Sequence, residues 1–311
     1  MQPTKLIAAI EPHQRLFIYR HTAPDPDAIG SQYGLALILK KAWPNKVIIP
    51  VGAVPTPLNW LGDPETLPQS VAPTASDLAI VVDCANQSRI AGELPAGMTV
   101  YKIDHHPNRE PFGTWNWVDE SYSSCAEMIY ALTTLVPAKL KMTPAAATAL
   151  YAGLIGDTVR FSIPGTTTRT LKIAAALASH GVDIAAVSYQ EMAITPAVGR
   201  LTSYVLQQLQ VSPTGLAHIV LSQAKLHQLG VSEAETDAIK ALPGSLTTVQ
   251  VWVIFIERAT GDYRVHFRSK RRPIDSVARA FNGGGHSLAS GAFVPDLATV
   301  QQVIARLETE D

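Results

Sequence analysis

The chain has 311 residues, of which 47% are hydrophobic and 16% are charged, and its formal net charge is −1. This composition predicts folded domains rather than disorder, and the length favours two domains, since single hydrophobic cores rarely grow beyond this size. The balanced charge argues against long duplex nucleic acid as a partner, because such binders carry an excess of Lys and Arg, whereas a small anionic ligand stays open.

The first half of the chain alternates β-branched runs with helical patterns, which is typical of buried parallel strands and the helices that connect them. The predicted strands are residues 16–19, 46–51, 78–83 and 99–104. The predicted helices are residues 28–42, 126–135, 144–157 and 168–180. The fold class is therefore α/β, with a mostly parallel, Rossmann-like sheet.

The second half has a different pattern. A helical stretch over residues 184–210 gives way to a turn at Pro213 and Gly215, where we place a domain boundary. Gly261 lies in a hairpin turn between two predicted strands, so the second sheet is at least partly antiparallel. The elements predicted here are strands at 217–221, 248–257 and 263–268 and helices at 233–241 and 297–307. We thus predict an N-terminal domain at 1–190, a helical linker at 191–213 and a smaller α+β domain at 214–311.

Cysteine content and hydropathy indicate the compartment. Two cysteines, Cys84 and Cys125, are too few for a disulfide framework. The N-terminal residues lack the continuous apolar segment of a signal peptide, and no run of about 18 apolar residues predicts a membrane span. We expect a cytoplasmic protein that does not enter a membrane.

A polar loop after the first predicted strand carries one histidine and two aspartates, His21, Asp25 and Asp27. Pro24 and Pro26 stiffen this loop. Ligands of open α/β sheets bind in such loops, at the carboxyl ends of the strands. An isolated Asp-x-Asp sequence more often forms Asx turns or a helix cap, so this loop alone leaves both interpretations open.

Further acids end the later elements. Asp83 ends the third predicted strand, and Asp104, followed by His105 and His106, ends the fourth. These strand ends meet at one edge of the sheet, and buried carboxylates without partners are costly, so we expect a cation between them. Asp157 lies at the C-terminal end of a helix, where the helix dipole disfavours a negative charge that has no positive partner.

Taken together, these segments resemble the motifs of the DHH phosphoesterase superfamily. The N-terminal motifs are residues 21–31, residues 81–83, Asp104-His105-His106 with Asn108, and Gly156-Asp157-Thr158. Two later segments, residues 267–269 and 283–286, resemble the DHH-associated domain of nanoRNases and RecJ-type exonucleases. Two positions differ from the family pattern: Val159 stands where many relatives have glycine, and Pro26 fills a variable position. Neither removes a predicted ligand, so the expected chemistry is unchanged, but the shape of the pocket and hence the substrate stay open.

The resemblance implies a two-metal site in a cleft between the two domains. One divalent ion would be held by His21, Asp25 and Asp83, and the other by Asp27, Asp83, His105 and Asp157. Mixed imidazole and carboxylate ligands favour Mn²⁺ over Mg²⁺. Asp104 is expected to orient a neighbouring histidine. His106 is expected to contact a phosphate oxygen or protonate the leaving group, with a packing role as the open alternative.

The C-terminal segments are expected to bind the substrate. The residues concerned are Arg268, Ser269, Gly283, Gly284, Gly285 and His286. Glycine N–H groups can approach an anion closely, although a glycine run by itself is usually only a turn. Residues 270–272, three adjacent cations, either hold a terminal phosphate or form a solvated patch.

The expected activity is metal-dependent hydrolysis of single-stranded oligoribonucleotides of about 2–5 residues to mononucleotides, as the resemblance implies. Removal of the 3′-phosphate of 3′-phosphoadenosine 5′-phosphate is a second expected activity. A cyclic or linear di-AMP phosphodiesterase is an alternative within the same chemistry, and a catalytically silent nucleotide-binding module is an alternative from another class. The sequence leaves open whether the chain forms a homodimer.

Overall fold

The computed structural model describes residues 2–62, 71–108 and 110–309, and the chain divides into two units, Met1–Met192 and Ala193–Asp311. None of the helices in the described ranges combines the length and the hydropathy that crossing a membrane requires. Segment 191–213, predicted as a helical linker, contributes a helix to the second unit, and Leu201 and Val205 of this helix lie in a hydrophobic cluster there.

A parallel five-stranded sheet forms the core of the N-terminal unit. Its strands are β1 (Arg15–Tyr19), β2 (Val47–Pro50), β3 (Leu78–Val82), β4 (Thr99–Asp104) and β5 (Trp115–Val118). They lie in the order β2-β1-β3-β4-β5, so the strand order reverses between β1 and β3. Sheets of this kind bind ligands outside the carboxyl ends of the strands at that switch point. The predicted fold class is confirmed.

Helices pack against one face of this sheet. They are α1 (Gln2–Ile10), α2 (Pro26–Ala42), α3 (Cys125–Leu135), α4 (Pro144–Asp157), α5 (Thr168–Ala178) and α6 (Ile184–Met192). Leu78, Ile80 and Val82 of β3 join the cluster on the helical face, whereas Ala79 and Val81 join a second cluster on the other face. Burial on both faces explains why β3 is apolar at every position.

The second unit is built on a mixed six-stranded sheet. Its strands are β6 (Gln210–Val211), β7 (Leu216–Leu221), β8 (Val251–Glu257), β9 (Tyr263–Ser269), β10 (Gly284–His286) and β11 (Ala289–Val294), in the order β10-β11-β9-β8-β7-β6. The helices are α7 (Pro196–Gln208), α8 (Gln223–Leu229), α9 (Asp275–Ala280) and α10 (Leu297–Thr309). β7 and β8 are parallel and the other strand pairs are antiparallel.

The structure corrects two predicted helices. The pattern over 184–210 is two helices, because Thr195 caps α7 through the Val198 N–H and Pro196 starts a new first turn. The segment predicted as a helix at 233–241 contains a short 3₁₀ helix, Ala234–Ile239, and a second one follows it at Leu242–Ser245. The hairpin between β8 and β9 is confirmed, with Gly261 at a φ of 86°.

Candidate metal centre

The loop between β1 and α2 brings one histidine and two aspartates to the carboxyl end of the sheet. Asp25 caps α2, its carboxylate accepting from the Ala28 N–H at 3.0 Å, and Pro26 is the first helical residue. The side chain of Asp25 is 51% exposed, whereas His21 and Asp27 are buried. Helix capping therefore explains the role of one oxygen of Asp25. It does not explain why the polar side chains of His21 and Asp27 are buried.

Asp83 follows β3 and lies at the centre of the cluster. Its Oδ2 is 3.4 Å from His21 Nε2, and its Oδ1 is 3.5 Å from His105 Nε2 and 3.5 Å from His106 Nδ1. The backbone φ of Asp83 is 49°, a left-handed conformation that is unfavourable for a residue with a Cβ. Such strain concentrates at functional sites, where the surrounding structure enforces it.

His105 connects this carboxylate to two more. Its Nε2 lies 3.1 Å from Asp157 Oδ2, at the end of α4, and 4.0 Å from Asp27 Oδ2, in the first turn of α2. The two helices approach closely, since a Cβ on Gly153 would lie 2.8 Å from Asp27 Oδ1. Glycine at this position therefore gives the Asp27 carboxylate its place beside α4.

The N-terminus of α3 fixes the carboxylate of Asp27. The backbone N–H groups of Cys125 and Ala126 donate to its Oδ2 at 2.6 Å and its Oδ1 at 2.9 Å, and the Ser31 hydroxyl donates to Oδ1 at 3.1 Å. Amides in the first turn of a helix favour a negative charge. Sequence analysis missed these donors because they are backbone groups 98 and 99 residues from Asp27.

Crowding of like charges affects the ionisation of the cluster. Burial raises the pKa of Asp27 and of Asp157, and neighbouring carboxylates raise both pKa values further. Burial lowers the pKa of His21, but the neighbouring carboxylates of Asp25 and Asp83 outweigh that effect and raise the pKa to about 10. A proton on His21 thus partly balances the carboxylates. A divalent cation would balance them instead, so metal binding and protonation compete here.

This set of donors fits a metal ion. His21 Nδ1 and Asp83 Oδ1 are buried, and neither forms a hydrogen bond of normal geometry with the described residues. Buried polar atoms rarely remain unpaired, and imidazole with carboxylate suits first-row divalent ions. Ligand atoms lie within 4.8 Å of one another in three groups: His21, Asp25 and Asp83; Asp27, His105 and Asp157; and Asp83, His105 and His106. The cluster could therefore hold metal.

Asp104 contacts His106 rather than His105. Its Oδ1 lies 2.8 Å from His106 Nδ1 and accepts from the His106 backbone N–H at 3.2 Å. Its Oδ2 lies 3.2 Å from Nζ of Lys102, a fully buried lysine that the sequence analysis did not single out. The signal that could have found it is a lysine inside an otherwise apolar strand, since lysine is almost never fully buried unless it is paired.

In the second unit, the predicted substrate residues lie on or directly beside the two strands that flank β11, β9 and β10. Register pairs Arg268 of β9 with Ala289 of β11, and Ala289 in turn with His286 of β10. Ser269 follows Arg268 at the end of β9. The glycines have a packing role as well, because a Cβ on Gly283 would lie 2.2 Å from the Gly291 carbonyl oxygen. Gly284 and Gly285 continue this segment as β10, Gly285 with a φ of 140°.

Comparison with known families agrees with this geometry. Residues 15–154 match the model described as DHH family, N-terminal domain, and residues 218–310 match the DHHA1 domain. A protein of Streptococcus mutans is 39% identical over 306 residues, which cover 97% of each chain. The chain belongs to the DHH family. The residues named above from His21 to His106 lie inside the matched DHH domain, and Asp157 lies three residues beyond its limit.

The DHH relatives carry informative names. The Streptococcus mutans protein is named probable bifunctional oligoribonuclease and PAP phosphatase NrnA. A Bacillus subtilis protein named bifunctional oligoribonuclease and PAP phosphatase NrnA is 37% identical over 310 residues, covering 98% of this chain and 97% of its own. Among solved structures, an exopolyphosphatase-related protein from Bacteroides fragilis shares the fold, with a TM-score of 0.85, 21% identity and coverage of 98% and 94% of the two chains.

Proposed function

We propose that this DHH protein hydrolyses single-stranded oligoribonucleotides of about 2–5 residues to mononucleotides and converts 3′-phosphoadenosine 5′-phosphate to AMP. The observation that carries the proposal is the convergence of three histidines and four aspartates at the switch point of the sheet. It is supported by 39% identity, over nearly the full length of the chain, to the Streptococcus mutans protein named probable bifunctional oligoribonuclease and PAP phosphatase. The filled ligand positions disfavour a catalytically silent nucleotide-binding module.

The proposed site holds two divalent cations, and Mn²⁺ is the ion proposed because the donors combine imidazole with carboxylate. His21, Asp25 and Asp83 would hold one ion, and Asp27, Asp83, His105 and Asp157 the other. When bound, such ions supply a nucleophile at neutral pH and stabilise charge on the phosphoryl oxygens. Asp83 belongs to both sets, and the amides of α3 orient the Asp27 carboxylate and favour its charged form, against the burial that raises its pKa.

The remaining polar groups are assigned to the substrate. Asp104 orients His106, and His106, whose side chain is 27% exposed, is placed to donate to a phosphate oxygen or to the leaving group. In the second unit, Arg268, Ser269, the amides of 283–285 and His286 are proposed to bind the part of the nucleotide remote from the metals. Two buried free thiols, Cys84 and Cys125, support a reducing compartment, in keeping with the predicted cytoplasmic location.

A panel of substrates tests this function. Chelator-treated protein is dialysed and supplied with Mn²⁺ or Ca²⁺, and turnover is measured on labelled two- to ten-mers, 3′-phosphoadenosine 5′-phosphate, and linear and cyclic di-AMP. We expect Mn²⁺ to restore cleavage better than Ca²⁺, with the shortest oligomers and the bisphosphate as preferred substrates. A preference for cyclic di-AMP would favour the signalling alternative, and full activity in excess chelator would overturn the metal assignment.

A further inference from the structure

Lys102 is a buried cation at the edge of the metal centre. It lies in β4, two residues before Asp104, and its side chain is fully buried. Its Nζ lies 3.2 Å from Asp104 Oδ2, donates to the Ala85 carbonyl at 2.9 Å and lies 4.6 Å from the centroid of the Phe112 ring. An ammonium without partners would be very costly at this depth, so these contacts hold Lys102 in one position.

Two partners of Lys102 lie beside proposed metal ligands. Ala85 comes two residues after Asp83, and Asp104 directly precedes His105. One ammonium group thus joins the ends of the neighbouring strands β3 and β4. The left-handed backbone of Asp83 requires restraint from its surroundings, and the bond to Ala85 restrains the segment immediately after it.

Asp104 transmits this position to His106. One of its oxygens faces the ammonium and the other lies 2.8 Å from His106 Nδ1. A carboxylate oxygen at this distance favours the form of the ring with a proton on Nδ1 and orients the ring plane. The same Nδ1 lies 3.5 Å from Asp83 Oδ1, so the ring orientation is defined relative to the central carboxylate.

We propose that Lys102 is a positioning residue: it holds Asp104, and through Asp104 the imidazole of His106, in the orientation that phosphoester hydrolysis uses. The kinetic part of this inference rests on the proposed function. The structural part, the effect of Lys102 on the His106 ring, does not.

A double-mutant cycle tests the kinetic part. Lys102→Met keeps the apolar stem and removes the charge, and we expect kcat on a dinucleotide to fall about 10- to 100-fold, the usual effect of removing a group that orients a ligand. In a His106→Ala background the same change should cost less than about threefold, because the ring through which Lys102 acts is gone. Losses that multiply in the double variant would overturn the proposal.

Two further variants separate positioning from folding. Lys102→Met/Asp104→Asn leaves no unpaired charge in the core, so it preserves the fold if Lys102→Met alone does not, and it should retain the loss of kcat. Arg15→Met is the matched control, since it also breaks an ion pair, that of Arg15 with the buried Asp77. This pair lies at the N-terminal ends of β1 and β3, whereas the metal centre lies at their C-terminal ends. The control should keep kcat within about twofold.

Proton NMR of the chelator-treated full chain tests the structural part without any substrate. The wild type should show a downfield Nδ1–H resonance, assigned to His106 by its loss in His106→Ala. We expect it to disappear in Lys102→Met and in Asp104→Asn, and to persist in Arg15→Met. If wild type cleaves no nucleotide, the proposed function fails while this spectrum still decides the role of Lys102. Persistence of the resonance in Lys102→Met would refute that role.

Discussion

At the scale of single residues, Asp83 is the carboxylate that links three imidazoles, since its two oxygens lie within 3.5 Å of them. We expect Asp83→Asn to reduce kcat by more than about a hundredfold, because the amide removes charge shared by both proposed ligand sets. Asp77→Asn is the control, a buried aspartate paired with Arg15 away from the cluster. Turnover by folded Asp83→Asn close to that of wild type, with equal metal content, would show that the site is assigned wrongly.

Val159 has a backbone conformation that is expected to destabilise the protein. It follows the Asp157-Thr158 pair with a φ of 45°, and its side chain is half exposed, so little packing compensates for a left-handed β-branched residue. We expect Val159→Gly to stabilise the protein by about 1 kcal/mol, since glycine adopts this conformation without a Cβ clash. Thermal unfolding should shift upward by about 2–4 °C. Val159→Ala, which keeps a Cβ, should gain less; an equal or larger gain would contradict the strain argument.

The sequence alone predicted the side chains that lie at strand ends. His21, Asp83 and Asp104 follow parallel strands whose carboxyl ends share one edge, so their proximity follows from the topology. The amides of Cys125 and Ala126 could not be predicted in the same way, because any residue type supplies an N–H and the contact depends on where α3 packs. The bond of Lys102 to the Ala85 carbonyl could not be predicted for the same reason, because its acceptor is likewise a backbone group.

At the scale of elements, β9 places Arg264, His266 and Arg268 on one face, and this arrangement predicts a pH dependence of stability. Burial, together with the nearby charges of Lys240, Arg264 and Arg268, lowers the pKa of His266 to about 3, although Asp237 acts in the opposite direction. The unfolded chain binds this proton near pH 6.5 and the folded chain does not. The contribution of this histidine to the free energy of unfolding is therefore fully present above pH 6.5, and it decreases as the pH falls from 6.5 towards 3.

The loss between pH 7 and pH 5 should amount to about 2 kcal/mol. Thermal unfolding of wild type and His266→Gln at the two pH values checks this, because the variant lacks the titrating ring and should lose less stability on acidification. The same decrease in both proteins would mean that other groups cause it.

Long apolar elements were predicted, whereas several short elements were not. β3 and α4 are apolar over their length, so pattern alone located them. β5, Trp-Asn-Trp-Val, is a four-residue edge strand that is only half buried, and β10 consists of two glycines and a histidine. Their pairing with β4 and β11 decides their structure, and a sequence pattern does not carry that information.

At the scale of the whole molecule, the two units are proposed to have different roles: the first binds metal and the second binds the substrate. If the second unit binds the substrate remote from the metals, His286→Ala should lower kcat/KM for a dinucleotide far more than for bis-p-nitrophenyl phosphate, which lacks the bound portion. Metal content should stay unchanged. His227→Ala, an exposed histidine of the same unit, serves as the control. Equal losses on both substrates would assign His286 to the chemistry or the fold instead.

The proposed metal ligands all fall between His21 and Asp157, and the unit that contains them ends at Met192. During translation this unit leaves the ribosome first, and N-terminal domains generally fold as they emerge. The remaining 119 residues, 193–311, take roughly 6–24 s to synthesise at 5–20 residues per second. The proposed metal ligands are therefore complete, and able to bind metal, before the segment proposed to recognise nucleotides has been made.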